Sequence, residues 1–174
     1  MNQEYIKGLV ECSEILFDRL APAHKLKPEW KIYLTASVIL RDLGELISIS
    51  NQAKHTYYIV KNLDFPSMQK WEHEFIARLC YCRTVEKLKD KDLSFMREKD
   101  KKDAFVKLLS ILRLVDALDF GSGHLFQIKS VTINRSAVRL SLKGNMKYGV
   151  EMLKMDRKKK LFEKTFHKKL DLVS

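Results

Sequence analysis

Arg41-Asp42, at the end of a long apolar stretch, is the pair of side chains whose types and spacing first suggest a chemical site. An adjacent imidazole and carboxylate at a helix end can hold a divalent metal, which lowers the pKa of a bound water for attack on phosphorus. Here the neighbour of Asp42 is a guanidinium. It has no lone pair to offer a cation and places a fixed positive charge at the spot. A buried ion pair is therefore the expected role of Asp42, with a basic residue on another element, a helix cap, or bonds from His55 or Tyr58 as its partners. Residual metal binding by Asp42, Asp119 and His55 is the alternative. His55 stands alone, and a lone histidine is more often a packing residue than a ligand. His73 and His124 have no partner at recognisable spacing. Asp116 and Asp119 share a helix face, so one of them is expected to pair with Arg113 or Arg41.

The other chemical signals are weaker. Cys12, Cys80 and Cys82 make an odd number at irregular spacing, which fits a reducing compartment and not a disulfide framework. A zinc knuckle would need further ligands at tight spacing, and the sequence has none. Gly121-Ser122-Gly123 lacks the Gly-Lys-Ser/Thr ending of a nucleotide-binding loop. The net charge of +11 is unevenly spread: residues 127–174 hold 13 Lys/Arg against 4 Asp/Glu, and the first 126 residues hold 20 against 18. A polyanion is therefore an admissible partner of the C-terminal third, beside the simpler reading of a solvated basic face.

These residues are carried by a chain of 174 residues, 45% hydrophobic, with only six glycines and three prolines. That is enough for one globular domain with a small subdomain. The N-terminus has no basic, apolar leader pattern, and charges interrupt every apolar run before it reaches membrane-spanning length. A cytoplasmic protein with no membrane insertion is expected, and Met1 so close to the first helix favours a natural start.

Apolar periodicity predicts helices over 5–20, 29–40, 55–60, 68–83 and 103–118. The second is apolar nearly all round and is expected to be central and buried. Ser67 is its neighbour's expected N-cap, since it precedes the helix over 68–83. Residues 87–102 read as an exposed, charged connection in which Leu88, Leu93, Phe95 and Met96 make a loose contact. After Gly121 the pattern alternates, predicting strands over 129–134 and 137–142, a basic helix over 150–167 and a last strand over 169–173. The expected class is α+β, predominantly α: a helical bundle over 1–126, then a small basic β-β-α-β subdomain over 127–174.

Five blocks in order carry a resemblance to a known family. Residues 39–48, Ile-Leu-Arg-Asp-Leu-Gly-Glu-Leu-Ile-Ser, resemble the "LLHDIGxxIS" run of the exopolyphosphatase/guanosine-pentaphosphate phosphatase (Ppx/GppA) family, in its C-terminal HD-type domain. Residues 54–60 are similar to its "KHSYYLI", residues 62–66 to its "NSDLPG" turn, residues 112–119 to its "LLRLAEALD" and residues 161–166 to its "KLFEKVFG". The resemblance implies an HD-like bundle with most ligands replaced. Arg41 takes the His position and Asp42 is kept. The early His falls at Tyr5, the paired His become Gln52 and Ala53, the His of "YHR" becomes Cys82, and the late Asp is kept as Asp119. Such centres use roughly four to six N/O ligands.

The resemblance also implies that actin-like domains, which carry the family's phosphohydrolase site, would have to come from elsewhere. The expected function is a non-catalytic binding or regulatory module for polyphosphate or a nucleotide-like polyanion, contacted by Arg139, Lys147, Lys154, Arg157, Lys158, Lys159 and Lys160. Nucleic acid would be bound only through its phosphates. An actin-like partner subunit or a homodimer is also admitted. The alternative is a residual phosphohydrolase of nucleotides or (p)ppGpp, with Mn or Mg as cofactor where none is otherwise expected.

Overall fold

A computed structural model describes residues 3–119, 127–143 and 150–173 of the chain. The order of elements is α1 (Gln3–Arg19), α2 (Ala21–His24), α3 (Lys31–Leu40), α4 (Gln52–Asn62), α5 (Lys70–Cys82), α6 (Lys99–Leu118), β1 (Gln127–Ile133), β2 (Ala137–Lys143), α7 (Val150–Phe166) and β3 (Lys169–Val173). Single 3-10 turns at Pro28–Trp30, Leu43–Leu46 and Asp90–Leu93 link the helices. The class is α+β, predominantly α, and the β-β-α-β order of the C-terminal part is as the alternation predicts. By contacts the chain forms two compact units, residues 1–28 with 110–174, and residues 29–109. The compositional boundary at 126/127 falls at the edge of a segment outside the described residues, as do Gly121-Ser122-Gly123 and His124.

In the unit formed by residues 1–28 and 110–174, β2 lies at the centre of a three-stranded sheet of order β1-β2-β3. β1 and β2 are antiparallel, with Thr132 opposite Arg139, and a bulge sits between Ile128 and Ser130. Asn134 closes the hairpin: its Oδ1 accepts the amides of Ser136 at 3.0 Å and Ala137 at 2.6 Å. β3 runs parallel to β2, with α7 as the crossover between them. Alternation in β2 buries Val138, Leu140 and Leu142 and turns Arg139 and Lys143 to solvent. The apolar side of α7 supplies Met155, Phe162 and Phe166 to the core. Thr165 on α7 and Ser110 on α6 share a hydrogen bond of 3.0 Å.

In the unit formed by residues 29–109, α3, α4 and α5 pack around Val60, Ile76, Ala77 and Cys80, with Tyr33, Ala36, Leu40 and Tyr57 against that cluster. A run of rings (Trp30, Tyr33, Trp71, Phe75 and Phe105) fills the rest, with neighbouring centroids 5.2–6.2 Å apart. Three expectations change here. α3 is not buried all round: Leu34 and Val38 are in the core, but Ile32 is 57% and Ile39 42% exposed. Apolar composition marks the faces that can be covered, and only some of them are. α5 starts at Lys70 with Gln69 before it, not Ser67, because Glu72 Oε2 accepts the Gln69 amide at 2.7 Å. The 87–102 segment is not a loose connection. Met96 is buried, Phe95 packs edge-on to Phe105 at 5.5 Å, and α6 starts at Lys99.

Candidate functional site

The Arg41-Asp42 corner is built where α3 ends. Leu43–Leu46 turns the chain sharply, and Gly44 passes so close to α4 that a Cβ there would sit 2.1 Å from the Gln52 carbonyl oxygen and 2.6 Å from the Thr56 amide nitrogen. The Gly44 amide donates to Thr56 Oγ1 at 2.9 Å, and that hydroxyl donates to the Arg41 carbonyl at 3.3 Å. The same carbonyl accepts Arg83 Nη2 at 3.0 Å, from the residue just past α5. One oxygen thus joins the ends of α3 and α5 to the first turns of α4.

The Asp42 carboxylate closes this corner. Arg41 Nε donates to Oδ2 at 2.9 Å, Gln52 Nε2 donates to Oδ1 at 3.0 Å, and Arg83 Nη2 forms a short ion pair with Oδ1. Gln52 Nε2 also reaches Glu45 Oε1 at 3.0 Å. Arg41 and Arg83 are buried, and the Asp42 side chain keeps 17% exposure. The carboxylate is thus held by two guanidiniums and an amide, all of them donors. Among the described residues His55 and Tyr58, expected partners of Asp42, make no bond to it, and Tyr58 is 68% exposed.

Of the expected site residues, Arg41, Asp42 and Gln52 are brought into one cluster, and Ala53 and His55 follow Gln52 on α4. Cys82 is buried at the end of α5, next to Arg83. Tyr5 and Asp119 belong to the other compact unit. Asp119 is buried, and its carbonyl accepts Lys154 Nζ at 2.6 Å. Asp116 pairs with Lys158 at 2.8 Å. The residue missed in the sequence was Arg83. The signal was present, a basic residue directly after Cys82, but nothing in the spacing ties residue 83 to residue 42.

The donor set does not fit the divalent metal that the HD resemblance implies. Around Asp42 the neighbouring groups are guanidinium and carboxamide N–H donors, which repel a cation or offer it nothing. Among the described residues no three His, Cys, Asp or Glu side chains converge as metal ligands.

The expected polyanion-binding residues divide into two sets. Lys154 and Lys158 are turned to the end of α6, on the Asp119 carbonyl and the Asp116 carboxylate, and Lys159 pairs with Asp156 at 2.7 Å. Arg157 and Lys160 are exposed on α7, as is Arg139 on β2. Lys147 lies outside the described residues. Lys164, exposed one turn beyond Lys160, extends the outward stripe.

The fold is that of an α+β domain, predominantly α. Residues 3–165 match the family model of the Ppx/GppA phosphatase, domain III, and the chain belongs to that family. No curated protein matches the chain. Among the described residues, no helix is long and apolar enough to cross a membrane.

Proposed function

We propose that the chain is a non-catalytic, HD-like domain III of the Ppx/GppA type that binds a polyanion through the outward cations of α7. One observation carries the reading: the carboxylate that would hold a metal is instead neutralised by Arg41 and Arg83 and capped by Gln52. The charge surplus of residues 127–174 supports the ligand class, and the partition of α7 narrows the contacts to Arg157, Lys160 and Lys164, with Arg139 as an extension. A polyanion read by its phosphate charge is bound in a salt-sensitive way.

The test is binding of polyphosphate and of a short single-stranded RNA at several salt concentrations. Affinity should fall linearly on a log–log plot. The slope should shrink by about 0.7 for each contact removed in Arg157→Ala and Lys160→Ala. A salt-independent affinity, or full binding by the double variant, contradicts the proposal. Hydrolysis of a nucleotide or (p)ppGpp on addition of Mn or Mg, lost in Asp42→Asn, would instead establish the phosphohydrolase alternative.

A second reading, docking on an actin-like partner or a second copy of the chain, is favoured by the exposure of Leu46 (81%), Ile47 (56%) and Ile49 (85%). Sedimentation of the chain alone, and of a Leu46→Ser/Ile49→Ser variant, distinguishes self-association from an orphan subunit.

A further inference from the structure

A separate cavity of about 380 Å³ opens in the unit formed by residues 29–109, lined by Lys54, Tyr57, Arg78, Tyr81, Lys91 and Asp92. Its size falls in the range of small-molecule sites. The lining combines three cations, two phenol rings and one carboxylate, Asp92. Arg78 is held rigidly: Glu74 Oε1 accepts its Nε at 2.7 Å, and its guanidinium lies 5.1 Å from the Tyr57 ring centroid and 5.4 Å from that of Phe95. Tyr57 is fixed too, donating to Glu74 at 2.8 Å and standing edge-on to Tyr81 at 6.2 Å. The wall formed by Arg78 and Tyr57 is thus in place before any ligand arrives, which lowers the cost of binding against it.

The local charge is positive. Glu74 serves two cations, Arg78 at 2.7 Å and Lys61 at 2.9 Å, so that group keeps one positive charge in excess. Asp92 accepts the Lys89 amide at 2.8 Å, at the start of the Asp90–Leu93 turn, and its single negative charge leaves Lys54, Lys91 and the Glu74 group in excess. Lys54 and Lys91 have no side-chain hydrogen bond or ion pair among the described residues, whereas Lys154, Lys158 and Lys159 on α7 all do. Lys54 and Lys91, which have no internal counter-charge, share a concave site with Arg78 and the aromatic walls, and that combination suits a ligand with an anionic end and a flat ring.

We propose that this cavity binds a mononucleotide, its phosphate between Lys54, Lys91 and Arg78 and its base against the Tyr81 ring. A phosphate chain alone would have no use for the aromatic walls, which is why a nucleotide is preferred over inorganic phosphate or polyphosphate here. The cavity shares no lining residue with the Asp42 cluster, and the proposal requires no catalysis.

The experiment is calorimetric titration of the full chain with adenosine or guanosine 5′-monophosphate, with inorganic phosphate and the free nucleoside as separate arms. One nucleotide should bind saturably per chain. Phosphate and nucleoside should each bind at least about tenfold more weakly. Lys54→Ala/Lys91→Ala, both exposed positions, should lower nucleotide affinity at least about tenfold, as one charge-assisted bond is worth that much. Tyr81→Leu should remove the preference for nucleotide over phosphate. The proposal is overturned by no saturable nucleotide binding up to about 1 mM, where the standard free energy of binding is only about 4 kcal/mol. It is equally overturned by phosphate binding as tightly as nucleotide, or by an affinity unchanged in the double lysine variant.

Discussion

Replacing Arg83 by alanine removes two bonds at once, the ion pair to Asp42 Oδ1 and the bond of 3.0 Å to the Arg41 carbonyl. Breaking a fully buried pair costs about 3–5 kcal/mol, because the remaining charge is stranded. Asp42 is not fully stranded: its side chain keeps 17% exposure, and Arg41 and Gln52 still donate to it. Thr56 Oγ1 also still reaches the Arg41 carbonyl, at 3.3 Å. The expected loss is therefore about 2–3 kcal/mol, or roughly 5–10 °C in melting temperature for a chain of this length. Urea unfolding followed by circular dichroism measures it. Combining Arg83→Met with Asp42→Asn should cost less than the sum of the single changes, since neither charge is then left without the other. A loss below about 0.5 kcal/mol for Arg83→Ala would place the pair with solvent-exposed bridges and refute the idea that it holds the corner.

Gly44→Ala should be more damaging than a surface change, by about 3 kcal/mol in the same urea assay, because the new Cβ meets backbone atoms of α4 that cannot move alone. Cys80 should resist alkylation in the folded chain at pH 8 and react only on unfolding, because burial pushes its thiol up to about 12 and the thiolate is the reactive form. Glu74 should make stability acid-sensitive. Desolvation raises its carboxyl, but bonds from Arg78, Lys61 and Tyr57 outweigh that and hold it below the ordinary 4.5. A carboxyl lowered on folding stabilises above its unfolded value and loses that contribution as pH falls through its folded value. Unfolding free energy measured across about pH 2–6 should therefore fall less steeply in Glu74→Gln than in the parent.

Much of the helical layout was legible because apolar side chains recur with the helix period, as in α1 and α6, and switch to alternation at β2. What failed was what periodicity does not encode. α4 begins at Gln52, three residues before the apolar pattern does, since its first turn is held by contacts with the Gly44 turn and not by a cap on its own sequence. Asn51 precedes it with φ 59, a left-handed conformation asparagine tolerates. The burial of Met96 depends on where the 3-10 turn at Asp90–Leu93 directs the chain, and that turn is capped locally by Asp92. At the candidate site, the expectation of a paired Asp42 needed only residue chemistry. The identity of Arg83 needed the fold, because the two residues are 41 apart in sequence.

The same contrast separates the cations of α7. Residues 154 and 158 are one helical turn apart and reach the end of α6, where Lys154 meets a terminal carbonyl and Lys158 a carboxylate. A helix C-terminus carries partial negative charge, so cations there stabilise the fold whether or not a ligand exists. Residues 157, 160 and 164 form the next stripe round the helix and have solvent in front of them. A basic helix is therefore not one surface but two, and only the outward stripe can be altered without disturbing the ion pairs within the unit. Asp42 follows the same logic at the other site. With two buried guanidiniums at its corner, the carboxylate is demanded by charge balance alone, and its presence in the sequence does not require a metal.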